Sequence, residues 1–388
     1  SVAALASRSF PAAERQRRLR DRLRGTRGGT ALAELVADDP VAGRGIRLRA
    51  ARNADVLTEY DGDLTNVALP PLEGAVSPTE LEAWATCPHA YFVRYRLRVR
   101  PVEEPDADVR ISPRERGSLQ HVALDRFHRD VVEGRLPPPG PAGWSDEHRH
   151  ALMAHASDAC ADWEASGRAG RPATWVGEQR RMLADLREWM NHDSATIVAR
   201  GASPVASEWR FGPDDGVSVP LPGGRRLAVV GAIDRVDRTS TGLVVTDHKT
   251  GRPRELRRLA TEDPTLGGTH FQPAVYASAA VVLAGTSGAE PGAVRAEYSM
   301  FGRGKYQRFG VDFDDDVWSR VEAALGVVVD GIEQGWYPAR PPRPGFRLFT
   351  ECHYCDPDSL GTTDAWERFL AKTADPRVAA WLGEDDDA

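Results

Sequence analysis

The sequence predicts an α/β (α+β) fold: a central mixed β-sheet flanked by helices, with a helical insertion at about 145–200. Three observations carry this. Helical periodicity dominates residues 77–200, strand-like text runs from Ser203 to Val245, and a helix separates it from a second strand pair at about 294–313. Helices, strands, helix, strands, helices is the order of a mixed sheet covered by helices.

At 388 residues the chain has room for one large domain or two ordinary ones. Charged and apolar fractions of 28% and 41% belong to a soluble globular protein. No apolar run approaches the ~20 residues of a membrane span, so no membrane partner is expected. The first residues lack the apolar core of a signal peptide, and a start at Ser1 is expected of a piece of a longer protein. The formal charge is −7, four of the negatives lying in Glu384–Asp387, so a nucleic-acid partner would be held by local basic patches. Four cysteines are too few for a disulfide scaffold of this size, which points to a reducing cytoplasm.

Residues 1–66 read as a lead-in. A basic amphipathic helix at about Ala12–Arg24 and a short one near Thr30–Ala37 are followed by irregular polar sequence. After a Pro/Leu linker, Ser77 is an N-cap, Pro78 the first helical residue, and Glu80 completes a capping box. Leu81, Trp84 and Ala85 form the buried face, and Cys87-Pro88 ends the helix. Arg94, Arg96, Arg98 and Arg100 alternate with apolar residues, a basic face that suits either solvent or a phosphate track.

The next helix is Arg114–Asp130. His121 lies beside its apolar stripe, where a lone histidine is ordinarily a boundary residue. Two helices of the insertion follow, at about Ser145–Gly167, with Cys160 as packing, and Val176–Arg200. A strand from Ser203 contains Glu208. Apolar runs Leu227–Ile233 and Leu243–Val245 then flank a polar turn near Ser240, the pattern of a buried hairpin. Each run ends on an acid, Asp234 and Asp247, placing the two carboxylates opposite or diagonal across the pair. Lys249 shares the face of Asp247 because side chains alternate along a strand. Only three lysines stand among the 50 cationic residues, so one beside two acids suggests a need for a compact ammonium. A salt-bridged surface hairpin gives the same triplet, and the hairpin alone leaves both readings open. Arg252 and Arg254 follow, then a helix at His270–Ala284 with Gln272 and Tyr276 on one face, strands at Val294–Phe301 and Tyr306–Phe313, a helix at Asp315–Gly335 and a short terminal helix.

In order and spacing these pieces resemble the RecB-like branch of the PD-(D/E)XK nuclease superfamily. Gly117-x-x-x-His121, Gly231-Ala-Ile-Asp-Arg-Val-Asp237, Asp247-His-Lys-Thr-Gly251 and Gln272-Pro-Ala-Val-Tyr276 match its four motifs. The resemblance implies a restriction-endonuclease-like core over residues 67–355, with 356–388 as a C-terminal helix and acidic tail. It implies catalysis by Asp234, Asp247, Lys249 and His121, with Gln272, Tyr276, Arg252 and Arg254 on the DNA. Hard carboxylates suit Mg²⁺ or Mn²⁺. His121 would add a nitrogen and the His248 backbone carbonyl an oxygen, while Glu208 stays either an outer-shell acid or a strand-edge one.

Cys87-Pro88-His-Ala-Tyr91-Phe92 and Cys352-His-Tyr-Cys355 are similar to the cysteines that hold an iron–sulfur cluster in AddB-type subunits of helicase–nucleases. The fourth cysteine is missing. Loss of the cluster, a cluster with a non-cysteine ligand, or Zn²⁺ with a histidine all remain open; each requires Cys87 to lie near the C-terminal pair. No G-x-x-x-x-G-K-[ST] occurs, so a helicase/ATPase subunit would have to supply any motor. The expected function is a metal-dependent DNA exonuclease of the RecB/AddB type acting in double-strand-break repair. The alternatives are a stand-alone CRISPR- or phage-type nuclease and a catalytically idle DNA-binding subunit.

Overall fold

Five strands form the sheet that carries the acids, in the order β1 (Ser203–Phe211), β4 (Gly231–Arg238), β5 (Gly242–Lys249), β6 (Ala293–Met300), β7 (Gln307–Asp312). The structure is a computed structural model describing residues 40–382 apart from 71, 101–109, 251–255, 287, 289, 303–305, 345–351, 353 and 355–364. The helices expected at Ala12–Arg24 and Thr30–Ala37, the acidic tail, Arg252, Arg254 and Cys355 lie outside the described residues.

β5 is central and buried along nearly its whole length, as its Leu-Val-Val run requires. It pairs antiparallel with β4 and parallel with β6. The parallel neighbour demands a crossover, supplied by α6 (Gln272–Thr286). That helix is rich in alanine, and Ala274, Ala277, Ala279 and Ala280 let its backbone approach the sheet closely. Gly242 opens β5 where a Cβ would stand 1.9 Å from Ala293 O, so only glycine permits the β5–β6 approach.

On the same side α2 (Pro78–Thr86) and α7 (Asp315–Glu333) complete the larger core. Trp84 is fully buried against α7, and a Cβ at Gly331 would come 2.1 Å from its ring. The other layer is α3 (Pro113–Val132) with the insertion helices α4 (Asp146–Ala165) and α5 (Pro172–Arg200). Leu119, Phe127, Leu152, Trp163 and Trp189 form its own core, with Cys160 packed inside.

Four local expectations change. The run Leu227–Ile233 is not one strand: β3 (Arg225–Ala228) pairs with β2 (Ser218–Leu221) in a separate two-stranded sheet, and β4 starts at Gly231. Val229 instead bridges to Val76, so the apolar run serves two partners. The box at Ser77 is half formed. Ser77 Oγ accepts from Glu80 N at 3.2 Å, while the Glu80 carboxylate accepts from Tyr91 OH at 3.4 Å. The single basic face read from alternation at Arg94–Arg100 needs an extended chain, but Phe92–Arg96 is a wide helical turn with Phe92 against Tyr337.

Finally, Pro40–Asn53, read as irregular, is helix α1. Lys372, at the end of α8 (Ala365–Lys372), donates to Ala51 O and Val56 O, both at 2.7 Å, and to Asp61 Oδ2 at 3.2 Å. Carbonyls at a helix end lack intrahelical partners, and this buried ammonium meets one of them, Ala51 O in the last turn of α1. Trp381 of α9 (Pro376–Leu382) meets the end of α2 in the same way, donating to Ala85 O at 2.8 Å. Among the described residues no helix is long and apolar enough to cross a membrane.

Candidate active site

The β4–β5 register ends at the pair Arg235–Thr246, and Asp234 and Asp247 are the next residue on each strand. Asp234 Oδ2 accepts from His248 N at 2.6 Å, which ties the first acid to the backbone between the second acid and the lysine. Lys249 Nζ lies 2.7 Å from Asp247 Oδ2 and 5.6 Å from the centre of the Tyr298 ring. Burial pushes the Asp247 carboxyl up to about 6; Lys249 draws it down and Asp234 pushes it further up. Burial works against the charge of Lys249, but Asp247, with Asp234 and Glu82, holds the ammonium above its ordinary value. Alternation sends His248 to the opposite face, where its ring stacks on His128 at 5.9 Å and meets Trp189 edge-on.

His121 reaches the acids from α3, its Nδ1 3.4 Å from Asp234 Oδ1. Burial opposes its charge, yet Asp234, then Asp247 and Glu208, raise it to about 9. The sequence leaves Glu208 as an outer-shell or strand-edge acid, and the structure brings it in beside the histidine. The ligand atoms of His121, Glu208 and Asp234 lie within 4.8 Å of one another. β1 slips register between Pro204 and Ala206, and Glu208 itself has φ +44. A bulge re-aims side chains, and a left-handed non-glycine residue is strain of order 1–3 kcal/mol that clusters at working sites. The one available sequence signal was an acid inside a strand next to two others.

Gln272 and Tyr276 meet on α6, with Gln272 Nε2 donating to Tyr276 OH at 2.9 Å. Burial, then Asp247, keeps the Tyr276 hydroxyl protonated far above its usual range. Arg114, Gly117, Ser118, His121, Lys249 and Thr250 line an open cleft of about 560 Å³ beside His121 and Lys249.

Behind the site lies a buried ionic network that the sequence does not announce. Arg235, 1% exposed, donates to both carboxylate oxygens of Asp193 on α5 at 2.9 Å, to Asp237 at 2.9 Å and to His128 Nε2 at 3.2 Å. Arg308 joins Asp193 to Glu297, and Arg200 grips Glu297 with two bonds of 2.9 Å. Against burial, Arg235 and Arg308 hold Asp193 well below the usual carboxylate range, and Arg200 with Arg308 holds Glu297 down to about 2. Burial pushes Asp237 up to about 6.

The donor set fits a hard divalent cation. It offers two or three carboxylates and an imidazole, and Asp234 and Asp247 repel each other in a buried place that a cation would neutralise. The cysteine end does not fit a four-cysteine cluster. Cys87 and Cys352 line one cavity of about 460 Å³, so Cys87 does lie near the C-terminal segment. Burial, however, favours the neutral Cys87 thiol, whose Sγ accepts from Arg340 N at 3.4 Å. Cys355 lies outside the described residues, and even with it the sequence motif holds three cysteines where a cluster takes four thiolates.

Opposed acids on a hairpin, a lysine two residues on, and a histidine–glutamate pair at the sheet edge define a carboxylate–lysine site of the nuclease class. Residues 75–360 match the PD-(D/E)XK nuclease superfamily, and the chain belongs to it. It is 32% identical over 227 residues to an ATP-dependent helicase/deoxyribonuclease subunit of Desulforudis audaxviator, covering 54% of this chain and 18% of that one. Subunits of the same name are 31% identical over 198 residues in Symbiobacterium thermophilum and 28% over 195 residues in Heliobacterium modesticaldum. These matches cover 47% of this chain in both cases, and 16% and 15% of the relatives. The chain thus spans less than a fifth of the length of the curated relatives it matches.

Proposed function

We propose that the chain is the nuclease module of a RecB/AddB-type helicase–nuclease, a divalent-metal-dependent DNA exonuclease acting at DNA ends in double-strand-break repair. The observation that carries this is Lys249 ion-paired to Asp247, opposite Asp234, at the mouth of an open cleft. Nothing in folding requires an ammonium there, whereas phosphodiester hydrolysis needs a positioned water and charge stabilisation of the phosphate. Mg²⁺ or Mn²⁺, when bound, would neutralise the phosphate and make water a better nucleophile. Asp234, Asp247 and His121, with Glu208 and the His248 carbonyl, are the residues that would hold the ion. Lys249 orients the attacking water and faces the charge developing on phosphorus. Gln272 and Tyr276 place the strand beside the acids, and Arg252 and Arg254, just beyond Thr250, meet flanking phosphates. The names of the relatives support DNA as substrate and a helicase as partner.

The test is cleavage of linear single- and double-stranded DNA with Mg²⁺, Mn²⁺ or EDTA. Lys249→Ala and Asp247→Ala should each lose at least ~10²-fold in rate, the scale of removing one transition-state contact. Undiminished cleavage by both variants sinks the reading.

A further inference from the structure

The α6 helix bears Gln272 and Tyr276, yet its own sequence supplies no acid in its first turn. The first N–H groups of any helix lack intrahelical acceptors. Here a carboxylate from a helix some 190 residues away in sequence meets them. Glu82 Oε1, on α2, accepts from Phe271 N at 2.8 Å and from Gln272 N at 3.0 Å. The mount is rigid: Leu81 and Trp84, on either side of Glu82, are fully buried, and Trp84 is wedged against Gly331. The helix so held packs against β5, the strand that carries Asp247 and Lys249. A partly buried carboxylate with a stiff base thus touches the start of the helix carrying Gln272, and that helix lies on the strand carrying the lysine.

We infer that Glu82 is a positioning residue of this site: through two hydrogen bonds it sets the Gln272/Tyr276 end of α6 against Lys249 and Asp247. The inference rests on the nuclease reading for its kinetic consequence but not for its geometry. An acceptor oxygen at the right reach is what the two N–H groups need, so a neutral amide of equal length should serve and a shorter acid should not.

Three variants separate the cases. Glu82→Gln keeps the length and an acceptor oxygen, Glu82→Asp keeps the charge and shortens the arm, and Glu82→Ala removes both. On a short single-stranded oligonucleotide, Glu82→Ala and Glu82→Asp should raise KM about tenfold with a smaller change in kcat. Glu82→Gln should stay within about threefold of the parent in KM. Hydrogen exchange at residues 271–276 should speed up in Ala and Asp and stay protected in Gln. Should Glu82→Ala fail to fold, the Asp and Gln pair decides. The inference is overturned by a Gln variant as impaired as Asp, or by an Asp variant with parental KM and exchange. A parent chain inert on DNA would refute the nuclease reading, while the exchange data would still decide what Glu82 holds.

Discussion

Arg235→Met should cost about 3–5 kcal/mol of stability, because it strips a buried cation from charges that cannot leave. The side chain is 1% exposed and binds Asp193, Asp237 and His128. Asp193 retains Arg308 and the Trp144 indole N–H. Asp237 fares worse: among the described residues its Oδ1 has no hydrogen-bond partner, and Arg235 is the donor to its Oδ2. Methionine fills most of the vacated volume, so the cavity contribution is small and the loss is chiefly the uncompensated charge. At roughly 2 °C per kcal/mol for a domain of this size, the melting temperature should fall by about 6–10 °C. Circular dichroism melts at pH 7.5 would read it. Adding Asp237→Asn should recover part of the loss, since the stranded charge is then gone and the two sites are in contact. A melt within 2 °C of the parent, or no recovery in the double variant, would refute this account of the network.

Two further outcomes follow from the same geometry. Glu208→Gln should weaken Mn²⁺ binding by at least the ~10–100-fold that even outer-shell partners of a metal contribute; titration calorimetry showing unchanged affinity would return Glu208 to a strand-edge role. Glu297 governs acid sensitivity. Its folded pKa, held down to about 2, is below its unfolded value, so its stabilisation is present above about pH 4.5 and lost as pH falls toward 2. Asp237 runs the other way, its raised pKa making protonation below about 6 favourable to the folded state. Glu297→Gln should therefore lower stability at pH 7 and flatten its decline between pH 4.5 and 2.5. Parallel pH profiles for parent and variant would count against the assignment.

Much of the site was legible in the chain. Strand alternation put Asp247 and Lys249 on one face, and the turn near Ser240 set Asp234 across from Asp247, each next to the last register pair Arg235–Thr246. Those relations depend on spacings of two to fourteen residues, within which local backbone geometry dictates where side chains go. Helix α3 was equally readable, because its apolar stripe lies within one element. The splitting of the Leu227–Ile233 run was not, because a run of apolar residues does not say which partner each one packs against. Helix α1 was missed for a similar reason: it carries little apolar pattern, and its end is satisfied by Lys372 from the far end of the chain.

By itself, then, the sequence determined the sheet-and-helix order, the opposed acids with their lysine, and membership of a superfamily whose motifs sit in four short stretches. Only the tertiary structure decided that Glu208 stands beside His121 and Asp234, that Glu82 receives the start of α6, and that Asp193 from the insertion neutralises Arg235 behind the site. The physical reason is distance along the chain. A contact between residues 26 to 190 positions apart is set by how helices and sheet pack, and no local periodicity encodes it.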